Sequence, residues 1–197
     1  MKLHYATTNP GKFHSLQKDF QNTPIELIQV PLDLPEPRSA DVQEIAHAKI
    51  VAAYKQIQQP VVVLDAGFYI FSLNGFPKAY VNFALETIGI KGILKLAAGK
   101  VRHCEFRECF AYLAPGLNEP HYFFRRYPGT LATAPSGQMA KHLWSPLSLI
   151  FIPEESTKTL GAMTKAEYAA WEEIVKQKQK TDEQFDEWFL KNLNYQK

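Results

Sequence analysis

Three groups of residues are of a type and spacing that could do chemistry. The first is the run Leu3-His4-Tyr5-Ala6-Thr7-Thr8-Asn9-Pro10-Gly11-Lys12, where a short apolar segment breaks into hydroxyls, an amide, a Pro-Gly turn and a lysine. A strand that hands a phosphate to a helix has this composition. Thr7, Thr8 and Asn9 can offer side-chain donors, the turn can expose backbone N–H groups, and Lys12 opens a helix whose N-terminal dipole favours anions. An ordinary strand-to-helix turn has the same composition. The second group is Asp65, directly after the β-branched run Val61-Val62-Val63-Leu64. A carboxylate at the end of a buried strand stands where α/β folds place ligands, and it needs a metal or a lysine to offset its desolvation. The third is Glu36, between Pro35 and Pro37, with Glu44 and Lys49 farther on. Lys49 lies five residues after Glu44, too far round a helix for a good pair, so alone it reads as a solvated lysine, as Lys12 does.

The elements that must position these residues alternate in type. Residues 3–7 read as a strand, 11–21 as a helix and 25–30 as a strand. Three prolines make 31–38 extended and loop-like. Ser39 or Asp41 caps a helix to about Gln58, with Val42, Ile45, Ala46, Ile50 and Ala53 at helical spacing. After the strand 61–64 come an extended stretch 68–73, a turn at Asn74-Gly75-Phe76-Pro77, and helices at 79–88 and 90–98. Residues 103–114 and 120–127 form a hairpin whose aromatics read as core, and 147–152 is a further apolar strand. Lys165–Lys180 and Asp182–Leu190 make a helical C-terminus. There Phe185, Trp188 and Phe189 share one face, for packing onto the domain or a partner chain. The fold class is α/β: a mixed central sheet, elongated and ribbon-like in its second half, with helices beside it.

Composition narrows the function classes. The 197 residues, 46% hydrophobic and 21% charged, suit one domain over 1–197 with a helical extension from about 165. Net charge is only +2 and the basic residues are scattered, which argues against a nucleic-acid partner. No apolar run approaches the roughly 20 residues of a membrane span, and the N-terminus lacks the basic start and apolar core of a signal peptide. Cys104 and Cys109, at odd spacing in a strand, point to opposite faces and offer neither a disulfide framework nor a metal-ligand pattern. A cytoplasmic protein is the expectation.

Four separated pieces occur in an order and spacing that resemble the inosine triphosphate pyrophosphatase family, which removes non-standard purine nucleoside triphosphates. They are Thr7-x-Asn9-x-x-Lys12; Asp33-Leu34-Pro35-Glu36; the helix with Glu44-Ile45 and Lys49; and Pro60 to Gly67 followed by Leu73-Asn74-Gly75-Phe76-Pro77. Tyr127-Pro128-Gly129-Thr130, Trp144-Ser145-Pro146 and Ala162-Met163-Thr164-Lys165-Ala166-Glu167 extend the resemblance over nearly the whole chain. It implies Mg²⁺-dependent hydrolysis of a nucleoside triphosphate between the α- and β-phosphorus, giving a monophosphate and pyrophosphate. Thr7, Asn9 and Lys12 match triphosphate-binding positions, with Thr8 beside them. Lys49 matches a further substrate-contacting lysine that serves catalysis. Glu36 and Asp65 match the metal-associated carboxylates, with Glu44 as a nearby alternative. Asp65 is the candidate for activating water. A homodimer is implied by the resemblance alone.

The departures from the family pattern cluster. Leu64 replaces an acidic residue, Asn82 a lysine, Ser145 the acid of an aromatic-Asp-Pro element, and Tyr168-Ala169 a Lys-Asn pair. Glu172-Glu173-Ile174 replaces the Ser-His-Arg triplet that holds the purine. Two anions and an aliphatic cannot donate to a 6-oxopurine carbonyl. Three readings follow. The first is a pyrophosphatase with changed base preference, in which Glu172 or Glu173 accepts from an exocyclic amine and Trp144 stacks on the base, with Ser145 beside it. The others are a weak or inactive nucleotide-binding paralogue and a scaffold that keeps only the fold.

Overall fold

The polar turn after Ala6 does separate a strand from a helix. In the computed structural model, which describes residues 1–179 and 184–192, β1 (Lys2–Ala6) gives way to α1 (Pro10–Asp19). Asn9 is extended and its Oδ1 accepts the Lys12 N–H at 3.0 Å, while Pro10 supplies a preset first turn. β2 (Glu26–Val30) follows, then α2 (Val42–Ile57). Of the two candidate caps for α2 the structure selects Asp41, whose Oδ1 accepts the Gln43 N–H at 2.8 Å. The order continues with β3 (Val61–Ile70), β4 (Pro77–Lys78), α3 (Val81–Thr87), α4 (Gly89–Leu96), β5 (His103–Leu113), β6 (His121–Leu131), β7 (Phe151–Pro153), α5 (Lys165–Gln179) and α6 (Phe185–Asn192).

The seven strands form a mixed sheet in the order β2-β1-β3-β5-β6-β7, with β4 on β3. β1 runs parallel to both β2 and β3, with α1 and α2 as the crossovers that parallel neighbours require. β4 on β3 and β7 on β6 are antiparallel.

The chain divides into two compact units, each with its own core. The first holds 1–65, 108–125 and the described C-terminal residues 184–192. Its core gathers Leu3, Tyr5, Leu16, Phe20, Val62, Phe110, Tyr112, Phe123, Phe185 and Phe189. The second holds 66–107 and 126–179 around Phe68, Ile70, Ile93, Phe106, Leu131, Leu147, Phe151, Tyr168 and Trp171.

Several sequence expectations need correction. β3 does not stop at Asp65 but continues to Ile70, so that Asp65 lies mid-strand. Pairing with β4 carries the strand onward through Phe68 and Tyr69. Residues 71–73 are then one turn of 3-10 helix rather than extended chain. The strand expected at 147–152 begins as a 3-10 turn over Pro146–Leu149, leaving only β7 extended. Ser145 explains the difference: its Oγ accepts the Leu147 N–H at 3.3 Å and Pro146 presets φ, so that helical cap chemistry overrides the apolar run. β6 runs past 127 to Leu131. A Cβ on Gly129 would come 2.3 Å from the Ile152 carbonyl oxygen, so close pairing with β7 requires glycine there. The helix ends expected at Lys180 and Asp182, and residues 193–197 of the extension, lie outside the described residues.

Phe185 and Phe189 pack into the core of the first unit, which decides between the two uses the sequence left open for that face. Both cysteines are buried and free of disulfides. Burial pushes each thiol up to about 12, which makes them inert. No helix among the described residues is long and apolar enough to cross a membrane.

Candidate functional site

In the first unit the turn after β1 is built from its own polar side chains. Thr7 Oγ1 accepts the Asn9 N–H at 3.1 Å and Asn9 Oδ1 accepts from Lys12 N. Both oxygens thus hold the turn, and what remains for an anion is the Thr7 hydroxyl proton and the Asn9 amide N–H groups. Thr8 is exposed beside them.

Lys12 folds back from α1, and its Nζ donates to the Leu64 carbonyl oxygen at 3.3 Å. Lys12 is partly buried. Burial lowers the Lys12 pKa, with Lys49 acting in the same direction, while the charges of Asp65, Glu108 and Glu36 oppose the fall.

Lys49 reaches across from α2. Its Nζ lies 2.7 Å from Asp65 Oδ1 and 2.6 Å from Glu36 Oε1. The Lys49 and Asp65 side chains are 13% and 9% exposed, whereas Glu36 is 63% exposed, so Asp65 is the desolvated half of the pairing. Burial alone would lower the Lys49 pKa, but Asp65 and then Glu36 outweigh it and raise the value. Glu44 is turned elsewhere, accepting the Ser39 hydroxyl at 2.6 Å.

The sign of the Lys49 shift gives a pH dependence. A lysine with a raised folded-state value contributes stability that is fully present below its unfolded value, about 10.4, and is lost as pH rises through the folded one. Lys49→Met is therefore expected to be less stable than the parent at pH 7–9, with the urea midpoints converging in stronger alkali. A difference that persists undiminished there would assign the loss to packing.

The other sequence-predicted residues belong to the second unit. Trp144 is half-buried against its core, with its ring 5.8 Å from that of Phe106. Ser145 is buried and caps the turn after it. Glu172 and Glu173 lie on α5, where Glu173 is exposed and accepts from Gln177 Nε2 at 3.0 Å. α5 begins with a reciprocal cap: Thr164 N donates to Glu167 Oε2 at 2.8 Å and Glu167 N to Thr164 Oγ1 at 3.3 Å. Lys158 and Thr164 hold the Glu167 carboxyl down to about 2.

A model of the Ham1 family matches residues 3–191. The chain belongs to that family. Among curated relatives, the dITP/XTP pyrophosphatase of Methanopyrus kandleri is 34% identical over 194 residues, 98% of each chain. That of Thermococcus kodakarensis is 31% identical over 98% of this chain and all of its own. A HAM1 protein from Coxiella burnetii superposes with a TM-score of 0.75 at 20% identity, covering 92% of this chain and 98% of that one. A nucleoside-triphosphatase/dITP/XTP pyrophosphatase from Mycobacterium abscessus gives 0.72 at 22%, with the same coverage. These two establish the fold, and the family drawn from the ordered motifs is borne out.

Within this Ham1 chain the structure brings Thr7, Asn9, Lys12, Glu36, Lys49 and Asp65 into the first unit. Sequence reading missed a buried carboxylate there, Glu108 on β5, at 6% exposure. The available signal was alternation: Glu108 shares its parity with Phe110 and Tyr112, so that a carboxylate takes a core-facing position.

Proposed function

We propose that this chain hydrolyses a nucleoside triphosphate to a nucleoside monophosphate and pyrophosphate, with a base preference different from that of its dITP/XTP-named relatives. The observation that carries the reading is the double ion pair of Lys49 with Glu36 and Asp65, in the same unit as a helix N-terminus that presents Asn9 and Lys12. Phosphoryl transfer asks for cations on the phosphate oxygens and a carboxylate that can orient water. In this reading Thr7, Thr8, Asn9 and Lys12 bind the phosphate chain, Lys49 neutralises charge beside it, and Asp65 holds the attacking water and takes its proton.

Among the described residues no group of three or more His, Cys, Asp or Glu side chains is arranged to hold a metal ion. Two carboxylates on one ammonium are nonetheless a donor set that fits Mg²⁺, which needs only one or two protein carboxylates and takes its other ligands from phosphate and water. Glu36 and Asp65 would hold it, and when bound it would supply charge neutralisation to the phosphate oxygens. On the family resemblance we extend the proposal to a homodimer working in the cytoplasm.

On the family resemblance, Trp144 stacks on the base and Ser145, Glu172 or Glu173 hydrogen-bonds to it. A binding protein without turnover is the second reading, favoured by Leu64 and by Glu172-Glu173-Ile174. Pyrophosphate release with Mg²⁺ over standard and non-standard triphosphates separates the two. Turnover of a subset supports the enzyme; triphosphate binding without release supports the second reading.

Two variants test the halves separately. Lys12→Ala is expected to weaken triphosphate binding by roughly ten- to a hundredfold and monophosphate binding much less, because a charge-assisted contact to the phosphate chain is lost. Equal weakening of both ligands in calorimetry would sink the phosphate role. Glu173→Arg is expected to change the ranking of bases by about tenfold; an unchanged ranking would place base selection away from that turn of α5.

A further inference from the structure

Ten large apolar side chains are exposed among the described residues, and half of them, Tyr80, Phe83, Ile88, Leu96 and Val101, lie within 22 consecutive residues of the second unit. An even scatter would put about one there, so the clustering asks for a use. Local folding turns these side chains outward together. Val81 and Leu85 of α3 and Ile90 and Leu94 of α4 pack onto the core around Ile93 and Ala97, so the opposite faces of both helices look away from that core. Tyr80 immediately precedes α3, and Phe83, 66% exposed, stands one turn on. Ile88 closes α3 and opens α4. From it the outer side of α4 reads Ile88, Lys91, Gly92, Lys95 and Leu96, the spacing of a single helix face. The helices have only 7 and 8 residues, about 10 and 12 Å, which keeps Phe83 and Leu96 on either side of Ile88 in one patch.

The charges of the same segment are mostly of one sign. Lys91, Lys95 and Lys100 are exposed, and none of them forms an ion pair among the described residues. Glu86 is the one acid between residues 80 and 101, which therefore carry a net charge of +2, as much as the whole chain. A second copy placed on this face about a two-fold axis would set the lysines against their own images. A nucleic acid would be met by arginines and hydrogen-bonding side chains rather than by Phe, Ile and Leu. An anionic lipid surface suits both components. Its acyl boundary accepts aromatic and aliphatic tips, while lysine stems lie along it and lift their ammonium groups to the headgroups.

We propose that the outer face of α3 and α4 docks the protein reversibly on an anionic membrane surface, with Phe83 and Leu96 at the headgroup boundary and Lys91 and Lys95 on the lipid anions. The contact is peripheral and does not depend on the triphosphate reading of Thr7–Lys12.

Cosedimentation with phosphatidylcholine vesicles, with and without about one-third phosphatidylserine, tests the proposal. The protein is expected to bind the serine-containing vesicles, less so in high salt, and to leave pure phosphatidylcholine largely unbound. Lys91→Gln with Lys95→Gln, and separately Phe83→Asp with Leu96→Asp, are each expected to weaken that binding by roughly tenfold or more. All four positions are exposed, so the melting curves of both double variants are expected to stay near that of the parent. Calorimetry with inorganic tripolyphosphate, a probe that needs neither base recognition nor turnover, is expected to give parent-like results as well. Weaker tripolyphosphate binding in either variant would make this face part of the substrate site and overturn the proposal. No vesicle binding, or equal binding to both vesicle types, also overturns it. Parent-like vesicle binding by Phe83→Asp with Leu96→Asp would leave a charge attraction without insertion, which is a different contact. A parent that ignores vesicles but forms a dimer that the same variant dissolves in sedimentation equilibrium gives the face to a second copy instead.

Discussion

Asp65→Asn is expected to lower pyrophosphate release by about 10²–10⁴-fold, the range for loss of a general base, while triphosphate affinity changes by far less. The substitution keeps the shape of the side chain and an oxygen for the Lys49 Nζ hydrogen bond, now 2.7 Å long, so the local geometry has a means of surviving. It removes the negative charge that, in the proposed reaction, draws a proton from water. It also removes the main charge opposing the burial of Lys12 and Lys49, so a modest change in affinity accompanies it. Single-turnover release measured beside tripolyphosphate calorimetry separates these effects. A rate within threefold of the parent, in a variant with an unchanged melting curve, would remove Asp65 from the chemistry. A parallel loss of rate and affinity would make it a binding residue.

What could be read from the sequence is what local chemistry decides. The turn over Thr7 to Lys12 was legible because an Asn cap, a proline in the first helical turn and a polar break after an apolar strand each act within a few residues. Asp41 was legible as a cap of α2 for the same reason. Asp65 was legible as a buried carboxylate, but its place in the strand was not, because only the tertiary pairing with β4 tells a strand to run on through Ala66 and Gly67. Gly67 looks like a terminator in sequence. In the structure a Cβ there would meet the Lys78 carbonyl oxygen at 2.9 Å, so the glycine serves a close strand approach instead.

The partners of Lys49 mark the same boundary. Helical spacing excludes Glu44, and Glu44 indeed binds Ser39, yet nothing local names Glu36 and Asp65, which come from a proline-bracketed loop and from the next strand. Glu108 was hidden more thoroughly. In a stretch with Glu105 and Arg107 close by it reads as one more charge on a ribbon, and only burial beside Phe110 and Tyr112 marks it out. Ser145 shows the opposite case: its hydroxyl oxygen caps the turn that follows it, a local role that Pro146 could have announced.

Phe185→Ala is expected to destabilise the protein by about 3–5 kcal/mol, the range for truncating a fully buried aromatic, and so to lower the melting temperature by roughly 6–20 °C. The ring is completely buried and stacks on Phe110 at 5.7 Å with an interplanar angle of 12°. It meets Phe20 edge-on at 6.1 Å and also packs on Tyr112, Phe123 and Phe189. Few neighbours can collapse into the space, because their own rings are fixed against β5, β6 and one another, which places the cost in the upper part of the range. The next residue, Asp186, binds Arg125 at 2.8 Å, and Arg125 also reaches Asp19 at the end of α1. Phe20 and Asp19 thus tie the C-terminal helix to the helix whose first turn carries Asn9 and Lys12. Loosening α6 is therefore expected to weaken tripolyphosphate binding well below the melting temperature, while Leu147→Ala, a truncation in the core of the second unit, lowers stability and leaves that binding intact. A Phe185→Ala loss of under 1 kcal/mol in urea unfolding would mean that α6 is not an integral part of the first core. A full loss of stability with parent-like tripolyphosphate affinity would mean that α1 holds the phosphate turn without its help.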